Sequence, residues 1–404
     1  MKTLPLVALL GGVSLLVAGC MQAQAQTPRE ATAQPVAASE AFRQRPPGDE
    51  VIYFVLPDRF ENGNPANDRG GIAGGRLQHG FDPTHKGFYQ GGDLAGLTRR
   101  LDYIQQLGVT AIWFAPVFRN KPVQGGPGEE SAGYHGYWVT DFTTIDPHFG
   151  TEAEFRAFVD AAHARGMKVY MDIITNHTAD VIRYRECVGQ PVCHYRGTAD
   201  FPYGRRARDG AAINPGFLGD HVMTPDNFAR LTDMDWAYTV EVPAEEADVK
   251  RPAWLNDPRY YHNRGNSDWY GEGNLYGDFV GLDDLMTEHP RVVEGFIDIY
   301  GSWIDRFGID GFRIDTARHV NPEFWQAFVP AMQQRARARG IPNFHIFGEV
   351  FREGVDPGQL AVFHARDRFP ALLDFTFQEV MARIVGGGGP TDPAERLFEG
   401  DWFY

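Results

Sequence analysis

A chain of 404 residues has room for one large domain or two smaller ones. With 43% hydrophobic and 23% charged residues, its composition is that of an ordinary soluble globular protein. The net charge of −15 argues against a nucleic-acid backbone as partner, which needs clustered Lys and Arg, and it suits a neutral substrate.

The N-terminus reads as a targeting segment. Lys2 supplies a positive charge, and the apolar stretch 4–17 is too short for a typical membrane span. It ends in Val17-Ala18-Gly19-Cys20, which resembles a bacterial lipobox with Cys20 as the lipidated residue. Cleavage after Ala23-Gln24-Ala25 is the alternative. In both cases the expected destination is outside the cytoplasm: a cell-envelope lipoprotein, or a periplasmic or extracellular protein. The boundaries are then a signal peptide at 1–20 and a flexible Gln-, Ala- and Pro-rich tether at 21–48. Cys20 is one of only 3 cysteines. The other two, Cys187 and Cys193, suggest a disulfide across a short loop in an exported chain. A metal pair is the alternative, but no further Cys or His stands at zinc-type spacing.

After the tether the chain alternates strand and helix. The run 51–56 predicts a first strand, ending in Pro57-Asp58-Arg59-Phe60. An Asn- and Gly-rich loop follows. Leu94, Leu97, Leu101, Ile104 and Leu107 then recur at helical spacing, with Gly108 as cap, and predict one helix over 94–107. A second strand at 111–114, a helix at 155–164 and a third strand at 169–174 continue the rhythm. The interval 178–283 breaks it and is too long for a simple loop, so it reads as an inserted domain. The alternation resumes with a helix at 292–307, a strand at 311–315, a helix at 322–338, a strand at 344–350 and a sixth strand near 372–375. Gly386 to Gly389 reads as a flexible break.

This order predicts an α/β fold with parallel strands. Asp58, Asp172, Asp315 and Glu349 fall where strands end, which in an α/β barrel is the face that carries active sites. An open doubly wound sheet is the competing architecture, but no G-x-G-x-x-G turn follows the first strand. Arg313 and Asp315 are two residues apart on one strand and therefore share a face. The pair is either a structural ion pair or a carboxylate nucleophile kept ionised by its neighbour.

Four stretches resolve that choice: Tyr134-His135-Gly136-Tyr137-Trp138, Asp172-Ile173-Ile174-Thr175-Asn176-His177, Arg313 to His319, and Gly348-Glu349-Val350. In this order they resemble the α-amylase family of retaining glycoside hydrolases, family 13, from about residue 50 to the end. The resemblance implies a (β/α)8 TIM-type barrel, represented by about its first six strands. The barrel would comprise 49–177 and 284–404, with domain B inserted at 178–283 after the third strand. It implies Asp315 as nucleophile, Glu349 as acid/base and Arg313 as the group holding Asp315 ionised. Retention requires two carboxyl groups about 5–5.5 Å apart, one attacking the anomeric carbon and the other protonating the leaving oxygen. Tyr137 would stack on the sugar, with Trp138 and Asp172 beside it, and His135 and His177 would bond its hydroxyls. Arg318 stands where many relatives have Lys, next to His319, on the leaving-group side.

Calcium is the implied ion. One site would use Asn176, Asp284 and the backbone carbonyl of His319. A second would use Asn62, Asn64, Asn67, Asp68, Gly91 and Asp93, a loop that resembles the calcium loop of cyclodextrin glucanotransferases. Its alternative is an Asx-rich turn without metal. The family's His-Asp motif after the sixth strand, which carries a third catalytic carboxylate, is absent here, so a fragment of a longer chain is expected. The function expected is hydrolysis of α-1,4-glucosidic bonds in starch, glycogen or maltodextrins by a monomer, with the membrane met only through Cys20. A transglycosylase on the same scaffold and a non-catalytic glucan-binding protein are the alternatives.

Overall fold

The computed structural model describes residues 40–400 apart from 191, 353 and 355. The signal segment, Cys20, most of the tether and Asp401 to Tyr404 lie outside the described residues.

Six parallel strands form one curled sheet: β1 (Ile52–Val55), β2 (Ala111–Phe114), β3 (Lys168–Ile173), β4 (Gly311–Ile314), β5 (His345–Gly348) and β6 (Ala371–Leu372), hydrogen-bonded in sequence order. This is the incomplete barrel the sequence predicts. Alternation along each strand sorts the side chains. Ile112, Phe114, Val169, Met171, Phe312, Ile314 and Ile346 face the helical layer and are fully or nearly fully buried. Trp113, Tyr170, Phe347 and Ala371 cluster on the opposite, inner face. Asp172 and Arg313 share that inner face and are directly paired in the β3–β4 register.

The helices follow from their caps and apolar stripes. Thr151 and Glu154 close a reciprocal capping box at the start of α3 (Glu152–Ala164). Pro290 opens α4 (Pro290–Phe307), and Gly308, at φ 65°, ends it in the left-handed conformation that glycine favours. Phe155, Phe158, Trp303 and Phe307 from α3 and α4 pack with Phe114 behind the sheet.

The single helix expected over 94–107 is two helices, α1 (Leu94–Arg99) and α2 (Leu101–Gln106). Arg100, at φ −100° and ψ 9°, takes a step between them. The step keeps Leu94, Leu97, Leu101 and Ile104 buried and leaves Leu107, the last member of the predicted stripe, exposed. The helix over 322–338 has the predicted bounds, as α5 (Pro322–Ala338). The stretch expected as a break at 386–389 begins inside a wound segment, Ala382–Gly386, that continues the preceding helix.

Residues 178–289 contribute no strand to the six-stranded sheet. They hold a two-residue ladder, Arg183–Tyr184 with Val240–Glu241, and several single-turn helices. Cys187 and Cys193 form a disulfide within this segment. Buried Lys250 bonds Asp283 at 2.6 Å, and Asp283 accepts the N–H groups of Val181 and Ile182, which ties the start of the segment to its end.

Candidate active site

The C-terminal ends of β3, β4 and β5 converge on one guanidinium. Arg313 donates through Nη1 to Asp172 Oδ1 at 2.8 Å and to Asp315 Oδ1 at 2.9 Å, and its Nη2 lies 2.9 Å from Glu349 Oε2. The backbone sets this geometry. Asp315 N–H donates to Ile173 O at 2.9 Å and Glu349 N–H to Ile314 O at 2.8 Å, so each carboxylate leaves its strand one residue beyond the ladder. Asp172 is fully buried and accepts two more bonds, from Trp113 Nε1 at 2.9 Å and Tyr137 Oη at 3.1 Å.

Burial raises the pKa of Asp172 against the lowering effect of Arg313. Burial also raises Glu349, opposed by Arg313 and assisted by the negative charge of Asp315. Three acids on one guanidinium exceed its positive charge, which pushes both Asp172 and Glu349 toward holding a proton, and Glu349 is the one of the two that lines the cleft.

Tyr137 and His135 sit in the tight turn that leads into the strand Val139–Ile145. Gly136 holds φ 87° there, and a Cβ would meet Pro116 O at 2.0 Å, so the turn accepts only glycine. The His135 and Tyr137 rings stack at 5.6 Å, and His135 lies edge-on to Trp138 at 4.7 Å. His177 stacks on Phe279 at 5.6 Å, and its Nε2 is buried without a partner. Burial lowers His135, His177 and His319 each to about 4, so all three are neutral near pH 7.

Two adjoining clefts, of about 430 and 720 Å³, share Phe279, Thr316 and Glu349. The smaller is lined by Tyr137, Trp138, His177 and Asp315, and the larger by Arg318, His319, Trp269 and Tyr270. Glu349 therefore stands where the two meet, and Asp315 lines the smaller cleft. Every organic-site residue expected from sequence lies in or beside this cleft except Asp172 and Arg313, which support it from below, and His135, which packs behind Tyr137.

Several contributors were not foreseen. Trp113 orients Asp172 from the end of β2. Trp269, Tyr270 and Phe279 come from the inserted segment, where no periodicity singles them out; their signal was only the local density of aromatic residues. Asn274 holds Arg318 through Oδ1 at 2.8 Å and His319 Nδ1 through its carbonyl at 2.8 Å.

Among the described residues no group of three or more His, Cys, Asp or Glu is arranged to hold a metal. The expected calcium ligands are instead amide, carboxylate and carbonyl oxygens. Asn176 Oδ1 is buried without a partner, and Asn176 is next to His177, which bridges Asp284 through the backbone. Asp284 spends Oδ2 on His262 Nδ1 at 2.6 Å. In the other loop, Asn62 donates to Asp68 at 2.8 Å, and Asn67 has both side-chain polar atoms buried and unpartnered. Asp93 caps α1 and accepts the N–H groups of Gly63, Asn64 and Gly96 at 2.7–3.0 Å. Asn64 Oδ1 accepts the Ala66 N–H at 3.2 Å, an Asx turn. Both donor sets fit a hard, oxygen-seeking cation in their chemistry.

The family described as Alpha amylase, catalytic domain, matches residues 54–385. An alpha-amylase of Streptomyces lividans is 44% identical over 355 residues, covering 88% of this chain and 37% of the relative. The periplasmic alpha-amylase of Escherichia coli is 28% identical and covers 83% of this chain and 51% of that protein. Among solved structures, a cyclomaltodextrin glucanotransferase with a three-domain ABC distribution superposes with a TM-score of 0.64 at 28% identity, over 88% of this chain and 62% of the other. This chain thus spans between about a third and two thirds of the length of these relatives.

Proposed function

This chain belongs to the alpha-amylase family of glycosidases, and from that premise we propose that it cleaves α-1,4-glucosidic bonds in starch, glycogen or maltodextrins with retention. The observation that carries the proposal is the sharing of Arg313 between Asp315 and Glu349, each 2.9 Å from a different terminal nitrogen.

In this reading Asp315 attacks the anomeric carbon while Glu349 passes its proton to the departing glycosidic oxygen. Glu349, now ionised, takes a proton from water, whose oxygen displaces Asp315 and restores both groups. Arg313 donates to Asp315 and offsets its negative charge, and burial raises the pKa of Glu349, the direction an acid catalyst needs. Tyr137 offers its ring to the sugar at the cleavage point, with Trp138 alongside. Neutral His177 lines the cleft as a hydrogen-bonding partner for sugar hydroxyls, and neutral His135, whose Nδ1 accepts the Tyr137 N–H, would reach a hydroxyl only through its Nε2 beside the Tyr137 ring. Arg318 and His319 serve the leaving-group side.

Calcium would be held by Asn176 Oδ1, Asp284 and the His319 carbonyl, and by the loop of Asn62, Asn64, Asn67, Asp68, Gly91 and Asp93. When bound it supplies structural cross-linking and takes no part in bond cleavage. The roles of 49–177 and 284–404 as barrel and of 178–283 as domain B belong to the same proposal, as does export, in keeping with the periplasmic relative.

The test is hydrolysis of starch and maltoheptaose by the full chain and by its Asp315→Asn and Glu349→Gln variants. Loss of turnover by about 10³-fold or more in both variants, with maltoheptaose still bound, is expected. Normal turnover in either variant would sink the assignment. A transglycosylase is the second reading, favoured by the likeness to the glucanotransferase structure. Chromatography of the products decides it, since cyclic or elongated glucans replace simple hydrolysis products there.

A further inference from the structure

The larger cleft carries more positive charge than cleavage of a neutral glucan requires. Arg318 and Arg352 both line it, with Gln359 beside them, and Glu349 is the one acid among its described lining residues. Glu349 is already engaged by Arg313 at 2.9 Å. Arg318 donates to Phe351 O and to Asn274 Oδ1, both at 2.8 Å and both neutral acceptors. Arg352 has its guanidinium 5.5 Å from the Phe363 ring centre, and the Nε atoms of both arginines are buried without a hydrogen-bond partner. Arg318 and Arg352 thus share one cleft, each with an unpartnered Nε and neither paired with an acid among the described residues, and such guanidinium groups suit an anionic ligand.

We propose that Arg318 and Arg352 form an oxyanion subsite on the leaving-group side of the cleft, which receives a phosphoryl ester carried by the α-glucan. The inference rests on the reading of the cleft as a glucan site and specifies what kind of glucan it prefers. Guanidinium forks match phosphate oxygens in spacing and charge better than they match sugar hydroxyls. Trp269 and Phe351, 41% and 51% exposed in or at the same cleft, present apolar faces to the sugar ring that bears the ester. In a chain of net charge −15, such a local positive pair also selects where an anionic substrate is admitted.

The experiment is calorimetric titration of the full chain, in the Asp315→Asn background so that no turnover occurs. The probes are maltoheptaose, maltoheptaose bearing phosphate monoesters, and inorganic phosphate alone. The phosphorylated glucan is expected to bind about tenfold more tightly than the neutral one, as one or two charge-assisted bonds dictate. In Arg352→Gln that preference is expected to fall below about twofold, and in Arg352→Lys to return in part, as a retained charge without the fork dictates. The ratio is the readout, so a variant that merely folds poorly, and loses both affinities together, does not imitate the result. Equal affinities for the two glucans overturn the inference while leaving the glucan reading intact. So does tight binding of inorganic phosphate without any preference between the glucans, which marks a free-anion site. Binding of neither glucan overturns the glucan reading and this inference with it.

Discussion

Arg313 is the residue on which the site depends, because it neutralises part of three carboxylates at once. Arg313→Lys keeps one positive charge but cannot span two carboxylates from separate nitrogens. Its expected effect is a loss of turnover of about 10²-fold or more, with the protein still folded by circular dichroism. Glu349 gives the pH dependence. Its folded pKa is raised, so the folded state holds the proton more tightly than the unfolded chain does. Its contribution to stability is therefore fully present below the unfolded value of 4.5 and is lost as pH rises through the raised folded value. Activity falls as pH rises through the same raised value, because the acid form disappears. In Glu349→Gln the urea midpoint is expected to fall less between about pH 4.5 and pH 8 than in the unaltered chain, since no proton is released there. An unchanged pH slope would show that Glu349 ionises alike in both states.

At the scale of elements, the loops between strand and helix do the positioning. Asp93 accepts three backbone N–H groups in a fully buried position, so it locks the Asn-rich loop to the start of α1. Asp93→Ala strands those donors and is expected to cost about 2–4 kcal/mol in chemical denaturation with chelator present, whereas Asp93→Asn retains one acceptor oxygen and costs less. A large Asp93→Ala effect only with calcium present would make it chiefly a metal ligand. The strands and their terminal carboxylates were legible because a buried apolar run ending in an acid is a strong local signal, as in 311–315. The break at Arg100 was not, since the apolar spacing runs through it and only the packing of the two short helices fixes the step. Trp269, Tyr270 and Phe279 were not legible either, because the inserted segment has long-range rather than periodic order, and nothing local says which of its rings face the cleft. Arg352 was hidden for another reason: it is charged, follows a strand-end loop, and acquires its partner Arg318 only through the fold.

Over the whole molecule, the sheet of the described residues has two edges, β1 and β6, where a closed barrel has none. The β1 edge is apolar: Val51, Ile52 and Phe54 are 53%, 39% and 47% exposed. Trp113 packs against Phe54 at 4.4 Å, so the inner face of the curl is partly open beside that edge. An edge strand of this composition offers unpaired N–H and C=O groups together with an apolar surface, the combination that templates strand addition. Helices α3, α4 and α5 bury one continuous apolar cluster behind the sheet, so the fold has a core large enough to persist with its edges open. The expected behaviour of this chain is therefore folded protein that aggregates as concentration rises, rather than unfolded protein. Ile52→Lys places a charge on the edge without touching the cleft, and is expected to lower light scattering at a given concentration while leaving the thermal midpoint within about 1–2 °C. Aggregation that is unaltered by the charge, or that tracks a lowered midpoint, would locate the exposed surface elsewhere than β1. Aggregation that the charge suppresses would mean that β1 is the face by which the curled sheet seeks another strand.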